Sequence, residues 1–312
     1  MENEQPRVDV VVCTNRFGPF LERAIESVRL QTYVEWRLIV VDDGSPLPDA
    51  IDQLIGDIPG ARVIHQQNRG LPAARNAGVA AGSGELVAFL DDDDVWPADR
   101  LEAQIRTMRA SPGAVAVCGD GIFIDPDEAV LGQWQSVSAP REEYLSGRAP
   151  IPGITTLMYR RDLLSRLGGF DESFSIAEDI EFALRMIRRG PVVHCGAVVV
   201  RYRRHDSNMT NALWTVHRDA WERAVAVNIA TARGEGARGD VRLLRMLAGA
   251  VRQRFSRESA GYVVHLMRER QVLSAVREAV RSFAAAPGAF AGGVYAIVAA
   301  RVRSRGAMGR GD

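Results

Sequence analysis

Residues 84–96 read GELVAFLDDDDVW. Leu86–Leu90 is apolar without a break, the pattern of a strand buried on both faces, and Asp91, Asp92, Asp93 and Asp94 close it at once. Four adjacent carboxylates repel one another, which raises their pKa values and costs stability unless a cation neutralises them. Oxygen ligands of this kind suit Mg2+ or Mn2+. Alternation along an extended chain would turn Asp91 and Asp93 toward one ion. The competing reading is a solvated acidic loop. A divalent ion held by carboxylates commonly holds a phosphate-bearing substrate in turn.

The pattern around this stretch repeats its design. Val8–Cys13 and Leu38–Val41 are further apolar runs, the first broken only by Asp9, and they end in Thr14-Asn15 and Asp42-Asp43-Gly44-Ser45. Arg62–His65 and Ala114–Cys118 read as two more strands. Helical spacing of apolar residues runs over Pro19–Leu30, Leu71–Ala81 and a segment from Pro97, at a first helical position, to about Ala110. The order β-α-β-α predicts an α/β domain with a doubly wound, mostly parallel sheet. Ligands of such sheets bind beyond the carboxyl ends of the strands. The polar ends at Thr14, Asp43 and Asp91 are therefore expected to converge on one crevice.

Residues 120–160 are less regular and lead to a strand over Ile154–Tyr159 and a short helix over Leu163–Gly169. Ser175–Arg189 reads as an amphipathic helix, and Val192–His194 and Val198–Tyr202 as strands. Ser175-x-x-Glu178 fits a capping box, and Asp179 in the first turn suits the helix dipole. Trp134, Trp96 and Tyr144 are aromatic residues that could stack on a ligand ring. Trp134 is the favoured one, in the irregular region, whereas Trp96 reads as core.

Composition bounds the rest. The chain has 312 residues, 46% hydrophobic and 25% charged, as an ordinary globular protein does. All 39 basic residues are arginine, so a P-loop lysine and Schiff-base chemistry are excluded. Cys13, Cys118 and Cys195 are far apart and form no CxxC, which argues for buried thiols in a reducing compartment. With no apolar leader in MENEQPRVDV, a cytoplasmic protein is expected. Residues 1–200 carry 19 arginines against 30 acids, and residues 201–312 carry 20 against nine. Two domains follow as an expectation: 1–206, and a basic, mainly helical 207–312. The basic part could cap the acceptor site, form a homodimer or touch anionic lipid at the inner membrane face. Without an aromatic-interleaved basic motif, nucleic acid is not expected. Phe283–Ala300 is an uncharged stretch of 18 residues, but its Ala, Gly and Pro287 fit a packing helix better than a membrane span.

Five segments in order carry a resemblance: VVVCTNR (Val10–Arg16), LIVVDDGS (Leu38–Ser45), Asn68-Arg69-Gly70 with Ala74-Arg75-Asn76-Ala77-Gly78, GELVAFLDDDDVW, and MYRRDLLSRLGGFD (Met158–Asp171) with Glu178-Asp179. Together, over about residues 6 to 206, they resemble the family 2 glycosyltransferases of the GT-A fold. The resemblance implies a metal-dependent, inverting transfer of one sugar from a UDP-, dTDP- or GDP-sugar to a hydroxyl acceptor. It implies that Thr14 and Asp43 contact the nucleoside, that Arg75 lies near the donor, and that Asp92 meets ribose or sugar. Asp91 and Asp93 would form the metal-binding DxD pair with Mn2+ or Mg2+, with His205 a candidate further ligand. Asp179 would be the catalytic base, and Glu178 and Trp134 would stand on the acceptor side. The QxxRW motif of processive members is absent, which favours single-sugar transfer. Asp91-x-Asp93-x-Val95 also matches the nucleophile pattern of haloacid-dehalogenase-like phosphatases. That class usually needs a distal lysine and puts its nucleophile on the first strand. A nucleotide-sugar binder that has lost activity, or a scaffold acting through the helical tail, are the remaining alternatives.

Overall fold

The computed structural model describes residues 6–208, 214–268 and 271–308. It divides into two compact units, Met1–Ala212 and Leu213–Asp312.

The first unit is an eight-stranded mixed sheet covered by helices. Its strands are β1 (Val8–Thr14), β2 (Trp36–Asp43), β3 (Arg62–Gln66), β4 (Leu86–Asp91), β5 (Ala116–Ile124), β6 (Val130–Trp134), β7 (Met158–Arg160) and β8 (Val192–Arg203). Its helices are α1 (Pro19–Arg29), α2 (Pro48–Ile55), α3 (Leu71–Ala81), α4 (Arg100–Ala110), α5 (Arg141–Ser146), α6 (Arg161–Leu167) and α7 (Glu178–Ile187). The order is β3-β2-β1-β4-β7-β5-β6, with β8 paired to β5. The first four strands are mutually parallel, β7 runs antiparallel to β4 and β5, and β8 is parallel to β5.

The apolar runs become the centre of this sheet because both of their faces are covered. Val8, Val10, Val12, Leu38, Val40, Leu86, Ala88 and Leu90 all pack into one buried cluster. Asp9, the polar break in β1, is buried, takes the Gly84 N–H at 2.7 Å and pairs with Arg161. Gly78 in α3 is needed for close approach: a Cβ there would meet Val11 Cγ1 at 2.4 Å.

Several expectations are corrected. Pro97 does not begin α4, whose first residue is Arg100 after Asp99, because residues 97–99 form a turn. Ile154–Thr156 is a turn of 3-10 helix before the short β7. The two strands read around residues 192–202 are one strand, with a register irregularity opposite Cys118–Asp120. Tyr144 is fully buried, and its hydroxyl bonds Val137 O, so it offers no ring to a ligand.

The second unit holds α8 (Trp214–Gly234), α9 (Arg238–Arg268), α10 (Val272–Ala285) and α11 (Pro287–Met308). Leu244, Leu247, Val251 and Phe255 of α9 are buried with Ala224 and Val225 of α8. The uncharged stretch from Phe283 is split between α10 and α11, with Pro287 at the first position of the new helix. Among the described residues no helix is long and apolar enough to cross a membrane.

Candidate active site

The sheet register brings the polar strand ends to one edge. Thr14 lies opposite Asp42, and Cys13 opposite Asp91. Thr14 Oγ1 stands 2.6 Å from Asp92 Oδ2, which joins the ends of β1 and β4 directly.

Beyond β4 the chain does not continue extended. It turns, with Asp94 N–H bonding Asp91 O at 3.2 Å. The strand alternation expected to aim Asp91 and Asp93 at one ion therefore fails, and the four carboxylates fan out to partners on four elements. Asp91 Oδ1 accepts from Arg75 of α3 at 3.2 Å. Asp92 meets Thr14 of β1. Asp93 Oδ2 is 3.0 Å from His205 Nε2, just past β8. Asp94 Oδ1 accepts the Arg203 N–H of β8 at 2.9 Å.

The cost of the cluster is visible in its protonation. Desolvation, then Asp91 and Asp92, push the Asp93 carboxyl up to about 6. Desolvation raises Asp92 against the opposing bond from Thr14. Asp94 is raised well above the usual carboxylate range by burial, with Asp91 and Asp93 adding to it. Among the described residues its buried Oδ2 has no hydrogen-bond partner, which adds to the cost of the charged form.

Arginine supplies the counter-charge. Arg16, unnoticed as a site residue in VVVCTNR, is half exposed and lies 3.5 Å from Asp92 and 3.7 Å from Asp93. Arg203 is fully buried and donates to Asp93 O at 2.9 Å and Glu128 Oε1 at 3.1 Å. Asn208, also unmarked in the sequence, accepts the His205 N–H at 2.6 Å, and Phe20 stacks on the imidazole with centroids 5.1 Å apart. These contacts fix the ring against Asp93. No sequence spacing announces the pairing of Asp93 with Arg203 and His205, which lie 110 and 112 residues away.

Arg75 links this cluster to the second carboxylate pair. It is 2% exposed, sits between the Phe89 and Phe170 rings, and donates to Asp91 and, at 2.6 Å, to Glu178 Oε1. Glu178 is thus held by Arg75. The capping box is not formed: the N-cap of α7 is Ala177, without a side-chain cap bond. Ala177 adopts φ 63°, a left-handed conformation rare for a residue with a Cβ. The strained entry points Glu178 into the interior and leaves Asp179 half-buried beside it. Asp179 Oδ1 accepts the Ile180 N–H at 2.8 Å. Desolvation, then Glu178, push Asp179 up to about 6, against the pull of Arg75. Near neutral pH such a group can take a proton more readily than an ordinary carboxylate.

Asp43 is placed differently. It accepts from Gln66 Nε2 at 2.7 Å and from the Arg69 and Gly70 N–H groups at 2.8 Å, so it ties down the loop into α3. Asn76 clamps α3 to the segment before α7, donating to Phe170 O at 2.9 Å and accepting from Phe170 N at 2.8 Å. Trp134 packs in an aromatic cluster, 4.5 Å from the Phe123 ring and 6.3 Å from Tyr202. Trp96 is core, 3% exposed, under the Arg100 guanidinium at 3.8 Å.

Among the described residues no three His, Cys, Asp or Glu side chains are grouped as a cage. Asp93 Oδ2 and His205 Nε2 nevertheless converge as one oxygen and one nitrogen donor. Two protein ligands fit an ion of the Mg2+ type, which takes its remaining ligands from substrate phosphates and water.

Known proteins are similar to this chain in sequence and in fold. The model of glycosyl transferase family 2 matches residues 10–168, half of the chain. An uncharacterized glycosyltransferase of Nostoc is 29% identical over 68% of this chain and 65% of its own length. The glucosyl-dolichyl phosphate glucuronosyltransferase of Haloferax volcanii is 39% identical over 53% of this chain and 56% of its own. The succinoglycan biosynthesis protein ExoO of Rhizobium meliloti is 33% identical over 56% and 53%. The chain thus spans about half to two thirds of the length of these relatives. The S. aureus TarS structure with UDP-GlcNAc superposes with a TM-score of 0.59 at 18% identity, covering 72% of this chain and 66% of that one, and shares its GT-A fold. The chain belongs to glycosyl transferase family 2.

Proposed function

We propose that the protein is a metal-dependent, inverting glycosyltransferase. It moves one sugar from a nucleoside-diphosphate sugar (UDP-, dTDP- or GDP-linked) to a hydroxyl of a saccharide, a lipid-linked glycan or a small molecule. The observation that carries this reading is the link Asp91–Arg75–Glu178, which joins the acidic strand end to the helix start where Asp179 stands with a carboxyl raised to about 6. Donor site and base are thereby held in one rigid frame. The names of the relatives, which act on glucosyl-dolichyl phosphate or in succinoglycan synthesis, support a sugar acceptor.

In this reading the donor lies across the carboxyl ends of β1, β2 and β4. Thr14 and Asp43 border the nucleoside, and Asp92 the ribose or sugar. Asp93 and His205 would hold Mn2+ or Mg2+, with Asp91 beside them. The chemistry such an ion would supply there is positive charge against the departing nucleoside diphosphate. Arg16 lies close enough to Asp92 and Asp93 to meet the same phosphates. Asp179 takes the proton of the acceptor hydroxyl. The acceptor oxygen then forms its bond to the anomeric carbon as the bond to the diphosphate oxygen breaks on the opposite face. One displacement inverts the anomeric configuration and leaves no covalent enzyme intermediate. Arg75 positions: it fixes Glu178, and through it the start of α7. The C-terminal helices are read as a homodimer surface or a peripheral membrane contact.

The test is a transfer assay over donor sugars with Asp179→Asn. The variant should bind nucleotide as the wild type does and lose about 10²–10⁴-fold in turnover. Full transfer by the variant would contradict the base assignment.

A further inference from the structure

Helix α10 (Val272–Ala285) packs inside out within its unit. An amphipathic helix ordinarily buries its apolar stripe and leaves its polar residues in water. Here the buried side consists of Ala275, Glu278 and Ser282. Glu278 takes the guanidinium of Arg218 from α8, and Ser282 Oγ donates to it at 2.7 Å. On the outer side Leu273 is 87% exposed, Val276 54%, Val280 64% and Phe283 55%. Their spacing of three, four and three residues makes them one continuous stripe. The apolar surface continues onto α11, where Phe290 meets Phe283 edge-on at 6.4 Å and Tyr295 is 75% exposed.

Charge decides what covers this stripe. Arg277 and Arg281 lie beside it, Arg281 also pairing with the half-exposed Asp219 of α8 at 2.8 Å, and the sole acid of α10, Glu278, faces inward. Residues 213–312 contain 17 arginines and eight acids. Two such faces brought together would set arginine against arginine, so a second copy is disfavoured. An anionic bilayer satisfies both parts of the surface: the apolar stripe enters the acyl boundary and the arginines meet the phosphates. Helices too short or too polar to span would then lie in the interface plane.

We propose that α10 docks this protein on anionic phospholipid through the Leu273/Val276/Val280/Phe283 stripe, flanked by Arg277 and Arg281. The inference makes the peripheral contact specific. It extends the proposed function without depending on its chemistry, because bilayer binding is read without any sugar transfer.

Flotation of the full chain with phosphatidylglycerol-containing vesicles and with pure phosphatidylcholine vesicles tests it. The wild type should float with the anionic vesicles, bind the neutral ones about tenfold more weakly, and be released by about 0.5 M salt. Leu273→Glu/Val280→Glu should lower binding by at least about tenfold with unchanged helicity and unchanged nucleotide binding. Arg277→Glu, a single exposed change that keeps the stripe, should weaken binding to anionic vesicles only. No binding to anionic vesicles, equal binding by the stripe variant, or conversion of a wild-type dimer to monomer by that variant in light scattering would overturn the proposal.

Discussion

The ends of β2 and β4 flank β1 on the same edge of the sheet, and both end in adjacent aspartates. At β2 every carboxylate oxygen has a donor: Ser45 N–H and His65 for Asp42, and Gln66, Arg69 N–H and Gly70 N–H for Asp43. At β4 the carboxyls crowd one another, desolvation raises Asp92, Asp93 and Asp94, and the counter-charges are arginines from distant elements. The same residue type at the same kind of strand end thus serves two purposes. The first end is a satisfied loop anchor whose removal should cost stability. The second is a charge-loaded site that is costly to keep and that, in the proposed function, takes a cation and a diphosphate. Frustration of this kind is expected where function and stability compete.

The largest effect should fall beyond both ends, at Asp179. Its raised carboxyl predicts transfer that rises with pH through about 6 and levels off above it, and Asp179→Asn should flatten that limb. The sign for stability is opposite. A carboxyl raised in the folded state favours folding while protonated, and that contribution is lost between the unfolded value of 3.8 and about 6. Asp179→Asn should therefore melt no lower than wild type at pH 8, and higher if the buried charge is as costly as its environment suggests.

Asp93→Asn comes next. It should reduce transfer by at least about 10²-fold while thermal unfolding without nucleotide stays within about 1 kcal/mol of wild type. Asp43→Ala should cost stability as well: two backbone N–H groups lose their acceptor, at about 1–3 kcal/mol of unfolding free energy. If Asp93→Asn proves the more destabilising of the two, the contrast between the strand ends fails.

The smallest effect belongs to His65. Asp42, more than Asp52, raises its pKa. Its contribution to stability should be present below its unfolded value of 6.5 and fade as pH rises through the raised folded value. The imidazole is 41% exposed, so solvent screening keeps the effect of His65→Gln below about 1 kcal/mol in a pH series of urea melts.

Much of this layout could be read in the chain. Leu86–Leu90 and Leu38–Val41 announce buried parallel strands because only a strand covered on both faces tolerates an unbroken apolar run. The convergence of Thr14, Asp43 and Asp91 follows from topology. What could not be read is the partnering. Arg75 finds Glu178 across 103 positions, and His205 finds Asp93 across 112; local spacing carries neither pair. Local rules also misled where tertiary contacts won. Asp91 and Asp93 obey a turn rather than strand alternation. Ser175 loses its capping role because Glu178 gains a buried arginine. In α10 only the fold reveals that the side bearing Leu273, Val276, Val280 and Phe283 faces outward.

In the proposed function the β4 end binds a nucleoside diphosphate together with a divalent ion. The most direct test is thermal unfolding with UDP, GDP and dTDP, each with and without Mn2+, on wild type and Asp93→Asn. One nucleotide at about a hundred times its dissociation constant should stabilise the wild type by about 2.7 kcal/mol. The stabilisation should need Mn2+ and vanish in Asp93→Asn. Equal stabilisation without metal, or in the variant, would contradict the claim, and so would no stabilisation by any of the three.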